Sequence, residues 1–191
     1  MPEVVSSQEE RLRRACWDAA LHALGTSYVF QEKAKTYKTR IRIITVLGLA
    51  VPLLLGATLA AFGQKSNLPG IALSVTAPIA IIQIVLSGVS LVYKWDDTLA
   101  YSLESLADNR ILSDEYKTLA EFPPTDLINQ FALIKTKDNA RIAQDEKMSI
   151  SAKEKRIGMH YSLWILRKEC ETCKVVPTSM TATKCDTCGN F

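Results

Sequence analysis

The sequence contains little of what most enzymes need at an active site. Histidine, the usual proton carrier near neutral pH, occurs only twice, at His22 and His160. No HExxH or GxSxG motif is present, and no phosphate-binding loop is visible, since half of the eight glycines fall in apolar runs. Paired acids such as Asp96-Asp97 and Asp145-Glu146 are expected on solvated helix surfaces beside cations. The sequence therefore predicts a protein that is not an enzyme.

Ionised side chains are absent from most of the middle of the chain. None occurs from Ile43 to Gln64 or from Ser66 to Tyr93, and Lys65 alone separates the two stretches. About 20 residues at a rise of about 1.5 Å each span the ~30 Å hydrocarbon layer of a bilayer. The apolar runs at 43–62 and 70–93 both reach that length. We interpret them as a two-helix transmembrane hairpin; the alternative is a pair of core helices in a soluble bundle.

The charges that flank these runs predict their orientation. Because loops rich in Lys and Arg stay in the cytoplasm, and two spans return the chain to the same side, both termini are expected there. The first forty residues are charged and polar, unlike a signal peptide, so both runs are expected to be retained. Membrane lipid, rather than nucleic acid, is the expected partner of the basic flank. Its five cations are Lys33, Lys35, Lys38, Arg40 and Arg42.

Two stripes of side chains run along the predicted spans. In the first span, small residues recur every four positions and would let helices approach closely, while the proline among them should kink the helix. These are Gly48, Pro52, Gly56 and Ala60. The second span carries a mostly polar stripe on one face: Thr76, Ala80, Gln83, Ser87 and Ser90. Hydrogen bonding between helices explains this stripe; the alternative is a pore wall, which two spans can form only by self-association.

The rest of the sequence predicts helices and no sheet. The helix of the second span is expected to continue past Tyr93 and to break at Asp108-Asn109-Arg110, before a helix capped by Ser113. Thr125 is expected to cap the next helix, and Ser151 to Glu154 matches a capping box. The predicted domains are a cytoplasmic amphipathic helix (1–40), the transmembrane hairpin (41–95), a cytoplasmic helical region (96–169) and a cysteine tail (170–191).

Four cysteines form two CxxC pairs separated by eleven residues: Cys170, Cys173, Cys185 and Cys188. Four thiolates at this spacing suit tetrahedral zinc, and a site filled by sulfur leaves no position for water, so the zinc would be structural. Gly189 is expected to adopt the unusual angles of a turn. Redox activity of a CxxC pair is the alternative, against which the missing βαβ context argues. His160 is expected to be an ordinary packed or surface histidine, and Cys16 a small core residue.

The combined pattern thus predicts an all-α membrane protein. It consists of a two-helix transmembrane hairpin, a cytoplasmic helical bundle and a small C-terminal zinc-ribbon-like tail. This pattern resembles the bacterial mobilome CxxCx(11)CxxC proteins, the spacing of the four cysteines being its specific part. The architecture is also similar to that of the SLATT superfamily, the SMODS and SLOG associating two-transmembrane effectors.

The resemblance implies a membrane effector of a bacterial antiphage or conflict system, which oligomerises and permeabilises the inner membrane on activation. It further implies a homo-oligomer and a nucleotide-signalling or sensor protein as partner. It supplies no catalytic residue, and no direct nucleic acid binding is expected. The alternative function is a non-conducting, membrane-anchored adaptor that recruits a partner through its zinc tail.

Overall fold

The computed structural model describes residues 2–62 and 68–191 of the chain. Within these residues the chain forms helices and no strand, so the predicted all-α class is confirmed for them. Contacts divide the chain into two compact units, which we call the bundle unit (Met1–Glu32 with Ser102–Phe191) and the apolar unit (Lys33–Tyr101). The helices are α1 (Pro2–Phe62), α2 (Leu68–Val92), α3 (Trp95–Glu121), α4 (Leu127–Asp145) and α5 (Ala152–Leu166).

The core of the bundle unit forms where the first part of α1 packs against α3 and α4. Small side chains on α1 let α3 approach, and Ser113 Oγ donates a hydrogen bond to the carbonyl oxygen of Ala20 at 2.9 Å. Tyr116 of α3 is fully buried, and its ring lies 6.0 Å from that of Phe131 on α4. The buried cluster consists of Cys16, Ala20, Ala23, Leu112, Tyr116, Leu119, Ala120, Leu127 and Ile134.

The predicted break at Asp108-Asn109-Arg110 is wrong, because α3 runs through these residues. Asn109 is buried, and its Nδ2 donates to the carbonyl oxygen of Ser105 at 2.9 Å and to Asp145 Oδ2 at 2.8 Å. Asparagine favours turns because its side chain competes for backbone hydrogen bonds. Here a carboxylate from another helix satisfies that side chain, so the helix continues, and Ser113 lies inside it rather than at its start.

The connection between α2 and α3 also differs from the expectation of one uninterrupted helix. α2 ends at Val92 and α3 begins at Trp95. Lys94 between them has a φ of 49°, in the left-handed region that right-handed helices exclude and few residues other than glycine adopt. The Thr98 amide donates to the Lys94 carbonyl oxygen at 3.0 Å, so the next helix begins immediately after the interruption.

The last two helices begin in different ways. α4 follows Asp126, whose side chain caps no backbone amide, so the predicted cap at Thr125 is wrong. The capping box before α5 is confirmed, because the Ser151 side chain accepts from the Glu154 amide and the Glu154 carboxylate accepts from the Ser151 amide at 2.7 Å. These paired bonds satisfy amide groups that the first turn of a helix leaves without partners.

α1 and α5 touch backbone to backbone at two glycines. A Cβ added to Gly158 would lie 2.5 Å from the carbonyl oxygen of Gly25, and one added to Gly25 would lie 2.9 Å from that of Gly158. Beside this contact, the rings of Tyr28 and Tyr161 stack with their centroids 4.0 Å apart. Only glycine at both positions allows this approach, which places α5 directly against α1.

Replacing Gly158 by alanine is expected to lower the melting temperature, since the added methyl group meets rigid backbone and overpacking costs about 1–3 kcal/mol. Gly88→Ala is the matched control, because Gly88 also lies in a helix but has nothing within 4 Å of an added Cβ. Alanine there should be neutral or slightly stabilising. Circular dichroism of the two purified variants compares their melting, and equal melting temperatures would contradict the close contact.

Candidate metal centre

The cysteine tail, residues 170–191, contains two turns of the same design. In the first, the Lys174 amide donates to the carbonyl oxygen of Cys170 at 2.8 Å. In the second, the Gly189 amide donates to the carbonyl oxygen of Cys185, also at 2.8 Å. Each bond closes a CxxC pair into a tight turn, so that both cysteines of a pair can point to one place.

The two turns bring all four sulfur atoms together, within 4.8 Å of one another. Cys170 Sγ lies 3.9 Å from Cys185 Sγ, and Cys173 Sγ lies 3.8 Å from Cys188 Sγ. Four sulfurs at about 2.3 Å from a tetrahedral zinc ion would be about 3.8 Å apart. The arrangement therefore fits the coordination shell of one metal ion and leaves no ligand position for water.

The surroundings of Cys185 and Cys188 shift the pKa values of their thiols in opposite directions. Backbone hydrogen bonds from Cys188 and from Thr187 lower the pKa of the Cys185 thiol to about 7. Burial raises the pKa of the Cys188 thiol, and neighbouring thiols raise it further. A bound cation deprotonates a coordinating thiol. Cys185 is thus prepared to act as a thiolate, whereas Cys188 needs the charge of the ion.

Gly189 is required for space rather than for its backbone angles, which corrects the sequence expectation. Its φ lies outside the left-handed region, and the residue with positive φ in these two turns is Lys174, at 56°. A Cβ on Gly189 would collide with Thr183 Oγ1. The Thr183 amide also donates to the Gly189 carbonyl oxygen at 2.8 Å, so this segment packs directly on the second turn.

Apolar contacts hold the tail on two helices of the bundle unit. Cys170 and Cys188 are almost completely buried and form a cluster with Leu163 of α5, against which Leu21 of α1 packs. Cys16 is buried too, but it lies in the separate core of α1, α3 and α4. The fifth cysteine is therefore not part of the metal-binding group.

His160 also anchors the tail, a role that the sequence expectation missed. It is 2% exposed, with Nδ1 2.6 Å from the carbonyl oxygen of Cys188 and Nε2 2.7 Å from that of Ser179. Carbonyl oxygens only accept hydrogen bonds, so a ring nitrogen that bonds to one of them is the donor. The ring of Phe191 packs edge-on against it at 5.3 Å.

His160→Phe is expected to loosen the tail without removing a metal ligand. Phenylalanine keeps the aromatic contact but cannot donate, and each buried acceptor left without a donor costs about 1–3 kcal/mol. Hydrogen exchange at residues 170–191 should become at least tenfold faster, with metal content unchanged. His22→Phe is the control, because His22 is exposed. Unchanged exchange in His160→Phe would show that the apolar contacts alone hold the tail.

The sequence model of one protein family, described as mobilome CxxCx(11)CxxC protein, matches residues 13–191. This match covers nearly the whole chain and includes both CxxC pairs. The chain belongs to the mobilome CxxCx(11)CxxC family. No curated protein and no solved structure is significantly similar to it. The family is described by the spacing of its four cysteines. In this chain, each CxxC pair forms one turn, and the two turns bring the four sulfur atoms together.

This mobilome CxxCx(11)CxxC protein also has two helices that are long and apolar enough to cross a membrane. They lie within Gln8–Thr58 of α1 and at Ser74–Val92 of α2. Few of their apolar side chains are buried: Leu53, Ile84 and Leu91 are 69%, 72% and 80% exposed. The chain alone therefore does not cover the apolar surface of this unit.

Hydrogen bonds of Gln83 join α2 to α1 in the apolar unit. With its amide oriented to suit both partners, the nitrogen donates to the Leu47 carbonyl oxygen and the oxygen accepts from the Gly48 amide, both at 3.2 Å. A Cβ on Gly48 would lie 2.9 Å from the Gln83 amide group, so glycine makes room for it. In the rest of the polar stripe, Thr76 is buried, Ala80 and Ser90 are half-buried and Ser87 is exposed. The pore-wall interpretation stays a prediction.

The small residues of α1 are not equivalent in the structure. Gly48 lies against α2, whereas Pro52, Gly56 and Ala60 are exposed. Nothing lies within 4 Å of a Cβ built on Gly56, and Pro52 stands inside α1 without ending it. Val51, which the spacing of small residues does not include, is buried instead. Three of the four residues of this stripe are thus exposed in the described part of the chain.

The basic flank contains one cation that aromatic rings hold in place. The Arg40 guanidinium lies over the ring of Tyr37 at 5.5 Å and over that of Trp95 at 5.3 Å, within the range of cation–π attraction. Of the other cations, Lys35, Lys38 and Arg42 are exposed and Lys33 is half-buried. Two aromatic rings of the apolar unit therefore contact a charge of the basic flank.

Proposed function

We propose that this protein is a SLATT-like membrane effector of a bacterial antiphage or conflict system, which oligomerises and permeabilises the inner membrane on activation. The observation that carries the proposal is the exposed apolar surface of α1 and α2. Exposed apolar surface is unfavourable in water by about 25 cal/mol per Å², and patches of this kind mark membrane or protein interfaces. In a bilayer, α1 and α2 would form a transmembrane hairpin with both termini in the cytoplasm.

The cysteine tail has a structural role in this proposal. Zinc held by four thiolates is closed to substrates and supplies folding energy to a segment that has little core of its own. The protein is then not an enzyme. Its expected partners are membrane lipid, further copies of the chain and a nucleotide-signalling or sensor protein, and no nucleic acid.

Permeabilisation requires several chains, because two helices cannot enclose a pore. In the single chain, Gln83 is bonded to Leu47 and Gly48 of α1. A pore lined by the polar stripe would need a neighbouring chain to replace these bonds on activation. Interhelical hydrogen bonds in membranes are worth only about 0.6 kcal/mol on average, so such an exchange is energetically accessible.

The test is the membrane potential of cells that express the protein with its genomic neighbours during phage challenge. We expect depolarisation together with protection, and dye release from liposomes that contain the activated protein. Gly48→Leu, which forces a side chain into the Gln83 amide, should reduce both effects at least tenfold. Gly56→Leu adds the same side chain where nothing lies within 4 Å of a Cβ, and it should retain them. An unchanged potential with undiminished protection would refute the proposal.

A non-conducting adaptor is the second candidate, favoured by the outer surface of the tail. Val175 is 59% exposed on a segment that its metal ligands and His160 hold in place, which is a suitable surface for a partner. Deletion of residues 170–191 discriminates between the two functions. Loss of partner capture, with no leak from liposomes for the full-length protein, would favour the adaptor.

A further inference from the structure

A cavity of about 650 Å³ lies in the bundle unit, among α1, α3, α4 and the segment before α5. Small-molecule sites have volumes of roughly 300–1,000 Å³ and combine apolar walls with a few polar groups. This cavity has both kinds of wall, and it is separate from the cysteine tail. The side chains that matter below are Ala23, Asn109, Asp138, Ile142, Asp145 and Met148.

Two oxygen atoms in its wall have no hydrogen-bond partner among the described residues. Asn109 Nδ2 donates to Asp145 Oδ2 at 2.8 Å, which fixes the amide and leaves its Oδ1 free. Asp138 Oδ2 accepts from the Tyr116 hydroxyl at 3.0 Å and from Lys135 Nζ at 2.9 Å, which leaves Oδ1. Asn109 and Asp138 are 3% and 6% exposed.

Both free oxygens are accessible to solvent. Among the described residues, no side-chain nitrogen or oxygen that is shielded from solvent lacks a partner. The two residues are otherwise buried, and the cavity is the space that they line. A few polar groups at the wall of a cavity fix the orientation of a ligand, so two acceptors without a protein partner indicate the chemistry of its occupant.

We infer that this cavity binds a small molecule that presents an amidine, amide or amine group on an apolar body. Both free atoms are acceptors, so the complementary group is a donor. Lys135 already pairs with Asp138, so charge does not restrict the site to cations. Ala23, Ile142 and Met148 offer apolar contact to the remainder of the ligand.

Three probes of nearly the same shape test this inference on the full-length protein in detergent micelles. Benzamidine and benzamide carry donors, whereas benzoate carries only acceptors. Ligand-observed NMR should give Kd values at least tenfold lower for the two donors than for benzoate. Equal affinity for the three probes, or no binding of any at millimolar concentration, would overturn the inference.

Substitutions locate the binding on the protein. Ile142 is 44% exposed and lines the cavity, so Ile142→Trp should block it without disturbing the core, and the affinity for benzamidine should fall at least tenfold. Ile128→Trp is the matched control on the same helix, because Ile128 is 56% exposed and does not line this cavity. Asp138→Asn should weaken benzamidine more than benzamide. Full affinity in Ile142→Trp would place the binding elsewhere and refute the site.

Discussion

Cys188→Ser is expected to reduce the zinc content of the purified full-length protein from about one ion per chain to nearly none. The Cys188 thiol is almost completely buried, and its Sγ lies 3.8 Å from that of Cys173. A serine hydroxyl does not replace a thiolate as a zinc ligand. Structural zinc supplies about 10–16 kcal/mol of apparent binding free energy near neutral pH, so the tail should lose its fold with the ion.

Cys16→Ala provides the control, because Cys16 is an equally buried cysteine outside the metal-binding group. Metal analysis after dialysis against a weak chelator measures the loss of zinc, and limited proteolysis measures the loss of the fold of the tail. Cys16→Ala should keep its zinc and a protected tail. Equal zinc in the two variants would contradict the ligand assignment. A wild-type protein with no metal and a reversible disulfide would instead support redox activity.

Arg141→Met is expected to cause the largest loss of stability in the bundle unit. The Arg141 side chain is 4% exposed, and its Nε and Nη2 donate to Asp145 Oδ1 at 3.0 and 2.9 Å. Nη1 donates to Glu104 at 3.0 Å and to Asp108 at 2.9 Å. Burial lowers the pKa of Arg141, but hydrogen bonds from the guanidinium to these three carboxylates outweigh it and hold the pKa above its usual value.

Removal of the guanidinium would take away the cation that lies 2.9 Å from the buried Asp145 carboxylate. Such a change costs about 3–5 kcal/mol, which lowers the melting temperature of a chain of this size by on the order of 10 °C. Lys137→Met is the matched control: Lys137 Nζ lies 3.1 Å from Glu115 Oε1, but the two side chains are 52% and 32% exposed. Exposed pairs contribute about 0–1 kcal/mol.

Thermal denaturation by circular dichroism compares the two variants. Adding Asp145→Leu to Arg141→Met should recover much of the loss, because a buried ion pair can often be replaced by apolar side chains. Equal melting temperatures for Arg141→Met and Lys137→Met would show that the buried network contributes no more than a surface pair.

Features that depend on neighbouring residues could be predicted from the sequence. The capping box at Ser151 and the turn of each CxxC pair follow from spacings of a few residues, and the two apolar segments follow from continuous runs of apolar residues. The residues that determine each of these features lie close together in the sequence. Periodicity and motif spacing describe such interactions directly.

Features that depend on distant partners could not be predicted. The Asp108-Asn109-Arg110 break failed because Asp145, 36 residues from Asn109, satisfies the asparagine. The carbonyl groups that His160 contacts belong to residues 28 and 19 positions further along the chain. The contact of Gly25 with Gly158 could not be predicted from the neighbouring residues either, because a glycine at these positions is equally typical of the end of a helix. These interactions arise only once the helices have packed.

The Arg40 guanidinium between Tyr37 and Trp95 has a consequence for how deeply the chain can sit in a bilayer. A lysine ammonium on its long stem can follow a headgroup up or down by several ångströms, whereas a guanidinium near two rings gives up cation–π attraction when it moves away from them. If the proposed hairpin forms, Arg40 would therefore favour one immersion depth of α1 by about 0.5–1 kcal/mol for each ring.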